Sequence, residues 1–277
     1  MADSTLSTQD HAVATRDGTL FARSWTPTAE GHAVANALAV GDPLPPIVLL
    51  HESLGCVALW RDFPEHLARM TGRRVVAYDR LGFGRSAAHP GVLSEDFVTQ
   101  EAHGGFAAVL DALAIDRFAL LGHSIGGGMG MAAAAAFPDR CTALVVESAQ
   151  AFVEACTLAG IRQAKVAFAQ PGQLDRLRRY HGDKAAWVLS AWVDRWLTSA
   201  FETWNLDESL RRIRCPILAL HGTEDEFGSF AQSARMAALS GGAVTIERLE
   251  GCGHVPHREQ QGRVLALIRA FLDDASH

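Results

Sequence analysis

Residues 117–137 read Arg-Phe-Ala-Leu-Leu-Gly-His-Ser-Ile-Gly-Gly-Gly-Met-Gly-Met-Ala-Ala-Ala-Ala-Ala-Phe. Phe118 to Leu121 has strand character and Met129 to Phe137 has helix character, with Gly-His-Ser-Ile-Gly (Gly122 to Gly126) between them. A serine on a Gly-flanked turn from strand into helix is a nucleophile elbow, which lifts the Ser124 hydroxyl off the top of a sheet. The turn is tight enough that large neighbours would clash, so it requires small residues two positions either side of the serine. The bare pattern G-x-S-x-G is unspecific, but here the strand and helix it needs flank it. The competing reading is a glycine-rich turn with an incidental serine.

Similar short apolar runs recur along the chain. His11 to Arg16 and Thr19 to Trp25 flank Asp17-Gly18, a strong hairpin signal. Short buried strands are expected at Ile47 to Leu50, Arg74 to Tyr78 and Ala143 to Val146, and further strands at Phe118 to Leu121, Ile217 to Leu220 and Ala243 to Leu249. Helices are expected at Phe97 to Leu113 and Val255 to Leu272. Residues 26–46, rich in Ala, Gly and Pro, read as a long excursion with a helical turn of its own. After the hairpin, strands alternate with helices, which predicts an α/β fold: a mostly parallel eight-stranded sheet flanked by helices.

One segment breaks the alternation. Residues 152–212 hold no strand pattern but four of the six tryptophans, with Trp187, Trp192 and Trp196 at helical spacing. They read as a helical cap inserted after strand 6, so the core comprises 1–151 and 213–277. Its aromatic residues either dock it onto the body or wall a pocket and exclude water.

The balance of 25 basic and 31 acidic residues is dispersed, so neither a nucleic-acid groove nor a polybasic membrane patch is indicated. No apolar run approaches the ~20 residues of a membrane span. Met1 to Asp10 is polar and lacks a signal-peptide pattern, so a cytoplasmic protein is expected. Cys56, Cys141, Cys156, Cys215 and Cys252 are scattered and form no C-x-x-C pair, which suggests neither a disulfide framework nor a zinc site. No metal constellation or dinucleotide fingerprint is present, and nothing in the sequence sets the oligomeric state.

A serine hydroxyl needs a base to take its proton, and the base needs an orienting carboxylate. After an elbow the chain order runs serine, acid, histidine. His221-Gly222-Thr223-Glu224-Asp225 follows one apolar strand, and Gly251-Cys252-Gly253-His254 follows the next. Both candidates therefore sit on loops at the same end of the sheet as Ser124. Glu224, Glu226 and His257 are their local rivals. His51, His123, His221 and Asp79 read as structural.

With these marks the chain resembles the α/β-hydrolase superfamily, in its capped serine-hydrolase branch. The resemblance rests on G-H-S-I-G-G at 122–127, G-T-E-D at 222–225 and G-C-G-H at 251–254. It also rests on Asp79-Arg80-Leu81-Gly82-Phe83-Gly84-Arg85-Ser86, similar to a D-x-x-G-x-G-x-S turn of capped members. It implies Ser124 as nucleophile, His254 as general base then acid, and Asp225 as orienter, without metal or cofactor. It implies an oxyanion hole from the N–H groups of Ile125 and Ser53. Glu52 stands where relatives usually carry glycine, which opens Leu54 as an alternative donor. Glu52 itself would either pair with Arg80 or Arg85 or touch substrate or water. Glu52, Leu54, Trp187, Trp192 and Trp196 are the candidates for substrate contact. A serine rather than an aspartate at the elbow disfavours the dehalogenase and epoxide-hydrolase branches. It favours cleavage of an ester, lactone or thioester in a small, largely apolar substrate. Carbon–carbon hydrolysis of ring-cleavage products is the alternative, and a binding protein on a hydrolase scaffold is the alternative of another class.

Overall fold

Eight strands form one sheet in the order β1-β2-β4-β3-β5-β6-β7-β8 in the computed structural model, which describes residues 5–28 and 44–275. The hairpin β1 (Leu6–Thr15) and β2 (Gly18–Pro27) pairs antiparallel, and β2 runs antiparallel to β4 (Val75–Tyr78). The remaining pairs are parallel: β4 with β3 (Ile47–Leu50), β3 with β5 (Phe118–His123), then β6 (Cys141–Glu147), β7 (Ile217–Gly222) and β8 (Val244–Leu249). Every residue of β3, β4, β5 and β7 is buried. Strands covered on both faces have no polar side to alternate with, which is why these segments read as unbroken apolar runs.

Helices cover both faces. One cluster joins Val48, Leu50, Val76 and Leu120 to α2 (Phe97–His103), α3 (Gly105–Ala112) and α4 (Ile125–Ala136). The opposite cluster joins Leu49, Val75 and Leu121 to α1 (Phe63–Thr71) and the C-terminal α11 (Gln261–Asp274). Between β6 and β7 the chain leaves the sheet for α5 (Ala155–Phe168), α6 (Gln173–His181) and α7 (Ala185–Trp196). The neck of this insertion is closed by an antiparallel bridge between Phe152 and Asn205 and by Leu206 N–H to Ala151 carbonyl at 2.8 Å. The following α8 (Asp207–Arg212) packs on α4 and is tied to α9 (Ala231–Leu239) by the Asp207–Arg235 pair at 2.7 and 2.8 Å. It therefore belongs by packing with the core. His181 docks α6 on the body, accepting from Gly84 N–H and donating to the Leu54 carbonyl, both at 2.9 Å.

Four sequence expectations need correction or limit. The hairpin loop is Arg16-Asp17 rather than Asp17-Gly18, because Gly18 already pairs with Thr15 at a φ of 146°. The helix expected over 97–113 is two, broken at Gly104, where two adjacent glycines allow a φ of −100° and ψ of −105°. The expected C-terminal helix likewise divides into α10 (Pro256–Glu259) and α11 at Gln260, whose φ is −133°. The excursion and helical turn read into 26–46 fall mostly outside the described residues.

The elbow depends on backbone contact between α4 and its neighbours. A Cβ on Gly126 would press into the Leu50 carbonyl, and one on Gly122 into the Gly126 carbonyl. Gly126→Ala is therefore expected to lower stability by about 1–3 kcal/mol in urea unfolding. Gly130→Ala, whose Cβ would meet the flexible Leu144 side chain at 3.1 Å, should cost clearly less.

Candidate active site

Ser124 caps α4 in a strained conformation, φ 56° and ψ −125°. A non-glycine residue there costs energy and persists only where its surroundings hold it. Its N–H donates to the Glu147 carbonyl and its carbonyl accepts from Gly127 N–H, both at 2.9 Å. The hydroxyl stands above the C-terminal ends of β5 and β6. Oγ lies 3.0 Å from His254 Nε2 and 3.1 Å from Gln150 Oε1.

The partners come from the loops after β7 and β8, which are laced together. Glu224 N–H donates to the Cys252 carbonyl at 2.9 Å and Gly251 N–H to the Thr223 hydroxyl at 3.0 Å. The His254 loop passes so close over Gly222 that a Cβ there would meet the Cys252 and Gly253 carbonyls. His254 Nδ1 lies 2.8 Å from Asp225 Oδ1, and that oxygen also accepts from Phe227 N–H at 2.8 Å. Burial pushes the Asp225 carboxyl up, but the bonds from His254 and Phe227 pull it down further, so it sits below the usual carboxylate range. Glu224 and Glu226 are exposed and take no part. His221 donates to the Gly228 carbonyl at 3.1 Å and stands 3.4 Å from the second Asp225 oxygen.

The other histidines fill the floor. His123 donates to the His254 carbonyl at 2.7 Å, and His51 packs against Phe83. Burial drives both imidazoles well below the ordinary histidine value, so they stay neutral. His257, the rival for His254, instead bonds Glu147 at 2.7 Å and packs on Trp60 and Phe63. Asp79 is a turn-holding carboxylate that accepts from Val57 and Arg85 N–H at 2.6 and 2.7 Å.

Ser53, which lines the same cavity as Ser124, and Ile125, which shares a small void with Ser53, have N–H groups without a protein partner among the described residues. Leu54 N–H has one, because the Glu52 carboxylate accepts it. The alternative donor is thereby occupied. Glu52 makes no ion pair with Arg80 or Arg85; Arg85 pairs with Asp10 at 3.0 Å, and Arg80 reaches only the Glu52 carbonyl. Burial raises the Glu52 carboxyl above its usual range.

Ser124, His254, Gln150, His51 and His123 line a cavity of about 310 Å³. Glu52, Ser53, Leu54, Trp192 and Trp196 reach it, and the insertion side is apolar, with Ile161 and Phe168 beside the two tryptophans. Trp187 is the exception among the expected contacts. It stacks on His89 at 5.0 Å and donates its Nε1–H to the Gly91 carbonyl at 2.7 Å, so it docks the insertion rather than lining the cavity. Two residues escaped the sequence reading. Gln150 reaches Ser124 from a loop with no motif. Glu259 clasps the His254 loop, accepting from Gly253 N–H at 2.6 Å and Val255 N–H at 2.9 Å. The Pro256 start of α10, with an acid three residues on, is the helix-start signal that could have found it.

A model of the alpha/beta hydrolase fold matches residues 45–184. The chain is 24% identical over 270 residues to a proline iminopeptidase of Lactobacillus helveticus, covering 83% of this chain and 90% of that protein. It is 29% identical over 255 residues to a 2-hydroxy-6-oxo-2,4-heptadienoate hydrolase of Pseudomonas putida, covering 82% and 88%. A thermophilic esterase from Thermogutta terrifontis superposes with a TM-score of 0.71 at 20% identity, covering 96% of this chain and 99% of that one.

Glu259 tests how tightly the loop must be held. Glu259→Ala should leave the circular dichroism spectrum intact. Ser124-dependent turnover should fall by up to about a hundredfold, as expected when a reacting group shifts by an ångström.

Proposed function

The chain belongs to the alpha/beta hydrolase fold family, and on that premise we propose a serine hydrolase that cleaves an ester-like bond through an acyl-enzyme. One observation carries the reading: Ser124 Oγ is 3.0 Å from His254 Nε2, and His254 Nδ1 is 2.8 Å from Asp225 Oδ1. In this mechanism His254 takes the hydroxyl proton as Oγ attacks the substrate carbonyl. Asp225, ionised and buried, fixes the imidazole with its proton on Nδ1 and stabilises the imidazolium that forms. The developing oxyanion meets the N–H groups of Ser53 and Ile125. His254 then gives its proton to the departing group, and a water repeats the sequence on the acyl-enzyme. The insertion acts as a cap, with Trp192 and Trp196 favouring a small, apolar acyl group.

A second reading is favoured by the Pseudomonas relative, matched over 82% of this chain. In it the same serine cleaves a carbon–carbon bond in a dienoate ketone. We further infer a cytoplasmic enzyme acting on a small molecule without cofactor. Its five free cysteines suit a reducing compartment, and no helix among the described residues is long and apolar enough to cross a membrane.

Wild type is expected to hydrolyse p-nitrophenyl acetate and butyrate, and Ser124→Ala to lose at least about 10³-fold in kcat. Turnover unchanged in Ser124→Ala would overturn the reading, and turnover confined to 2-hydroxy-6-oxodienoates would select the second. The acid limb of kcat/KM carries a further test. The depressed Asp225 carboxyl remains ionised through mildly acidic pH, so its protonation should add no second proton to the limb there, and the slope should stay below two. A slope of two would mean that Asp225 also takes up a proton in that range.

A further inference from the structure

The carbonyl of Glu52 accepts three hydrogen bonds: from Gly55 N–H at 3.1 Å, His51 Nδ1 at 2.8 Å and the Arg80 guanidinium at 3.0 Å. The His51 tautomer follows from its other nitrogen. Nε2 accepts from Arg80 N–H at 3.2 Å, so the ring proton is on Nδ1 and is donated to Glu52. A carbonyl oxygen has two lone pairs, so three donors, one of them cationic, are more than it needs for satisfaction. The other end of the same peptide is Ser53 N–H, which has no protein partner among the described residues.

We infer that Arg80 is a positioning residue of the proposed reaction, polarising the Glu52–Ser53 peptide so that Ser53 N–H becomes a stronger donor to the oxyanion. Hydrogen bonds in series strengthen one another by roughly 10–30% each in a low-dielectric interior. A cation on the carbonyl draws electron density from the whole peptide and makes its N–H more positive.

The placement of the charge supports this. Arg80 is 3% exposed, and it lines one small void together with Ser53 and Ile125, the two expected oxyanion donors. Among the described residues no carboxylate stands within 4.0 Å of the guanidinium, and its Nε has no partner. Phe83 packs under it, 4.2 Å from ring centre to guanidinium carbon. Glu101 is the acid whose field it feels most. That carboxyl is bonded to the Tyr78 hydroxyl at 2.7 Å and raised by burial, which weakens it as a counter-ion. A buried cation with no close counter-charge is costly in the resting state. The cost is relieved when negative charge develops nearby. A neutral substrate carbonyl offers little relief and a tetrahedral oxyanion offers much, so the effect belongs to the transition state.

This inference rests on the acyl-enzyme reading, which Ser124→Ala tests separately, and it concerns only turnover that variant abolishes. The experiment compares wild type with Arg80→Met, Arg80→Gln and Arg80→Lys on p-nitrophenyl butyrate, with thermal melts to identify folded variants. Affinity for a trifluoromethyl ketone, whose adduct carries the oxyanion, is measured in parallel. The neutral variants are expected to lose at least about tenfold in kcat with KM changed less than about twofold, one factor of ten in rate being about 1.4 kcal/mol. Trifluoromethyl-ketone affinity should fall in proportion to kcat/KM, and Arg80→Lys should recover part of both. A folded neutral variant that keeps its kcat would overturn the inference, as would a loss confined to KM. If Met and Gln both fail to fold, Arg80→Lys decides. It lacks the fork that reaches Glu52, so an unchanged kcat and ketone affinity would overturn the inference, and a parallel fall in both would support it.

Discussion

Everything at the site depends on how closely the start of α4 approaches the end of β3. Gly126 lies against the Leu50 and His51 carbonyls with no room for a Cβ. That contact fixes the distance between the elbow and the loop after β3, which carries Ser53. Directly before this approach Ser124 holds a strained backbone conformation. The strain is held by main-chain bonds to Glu147 and Gly127 and by the packing of α4 between two layers of core. Here the sheet and the geometry around Ser124 are a single construction.

Asp225 and His254 are located by a second contact of the same kind. Gly222 ends β7 beneath the Cys252 and Gly253 carbonyls, so the β8 loop rests directly on the β7 loop. Asp225 and His254 come from different strands but share this stacked pair of loops, and Glu259 closes it from outside. Glu147 links the two constructions. Its carbonyl holds Ser124 N–H, while its fully buried carboxyl holds His257, three residues beyond His254.

The central strands were legible because burial on both faces leaves short apolar runs, which their regular alternation with helical segments marks as strands. Ser124, Asp225 and His254 were legible because each sits at a strand end behind small residues, of which Gly122, Gly126 and Gly222 permit backbone approach and Gly251 a positive φ. The helix breaks at Gly104 and Gln260 were not, since apolar periodicity continues through them. Trp187 was misplaced for a related reason. Helical spacing shows that Trp187, Trp192 and Trp196 share an element, but not which of them turns toward the cavity and which toward the loop at His89. Gln150 and Glu147 carry no local signal at all, because what they touch is brought to them only by folding.

The charges divide by role. His51 and His123 are forced neutral by burial, so the cavity floor is built from imidazoles that serve as hydrogen-bonding struts rather than as titrating groups. Asp79 is spent on two backbone N–H groups that shape the turn beneath Arg80. Glu52 turns its carboxyl back onto Leu54 N–H, away from the N–H of Ser53. That fold-back keeps the carboxylate engaged with its own loop. With its charge occupied by its own loop, Glu52 leaves Ser53 N–H unengaged, and its carbonyl collects the donors that hold the peptide plane. Glutamate at this position thus reinforces its own loop.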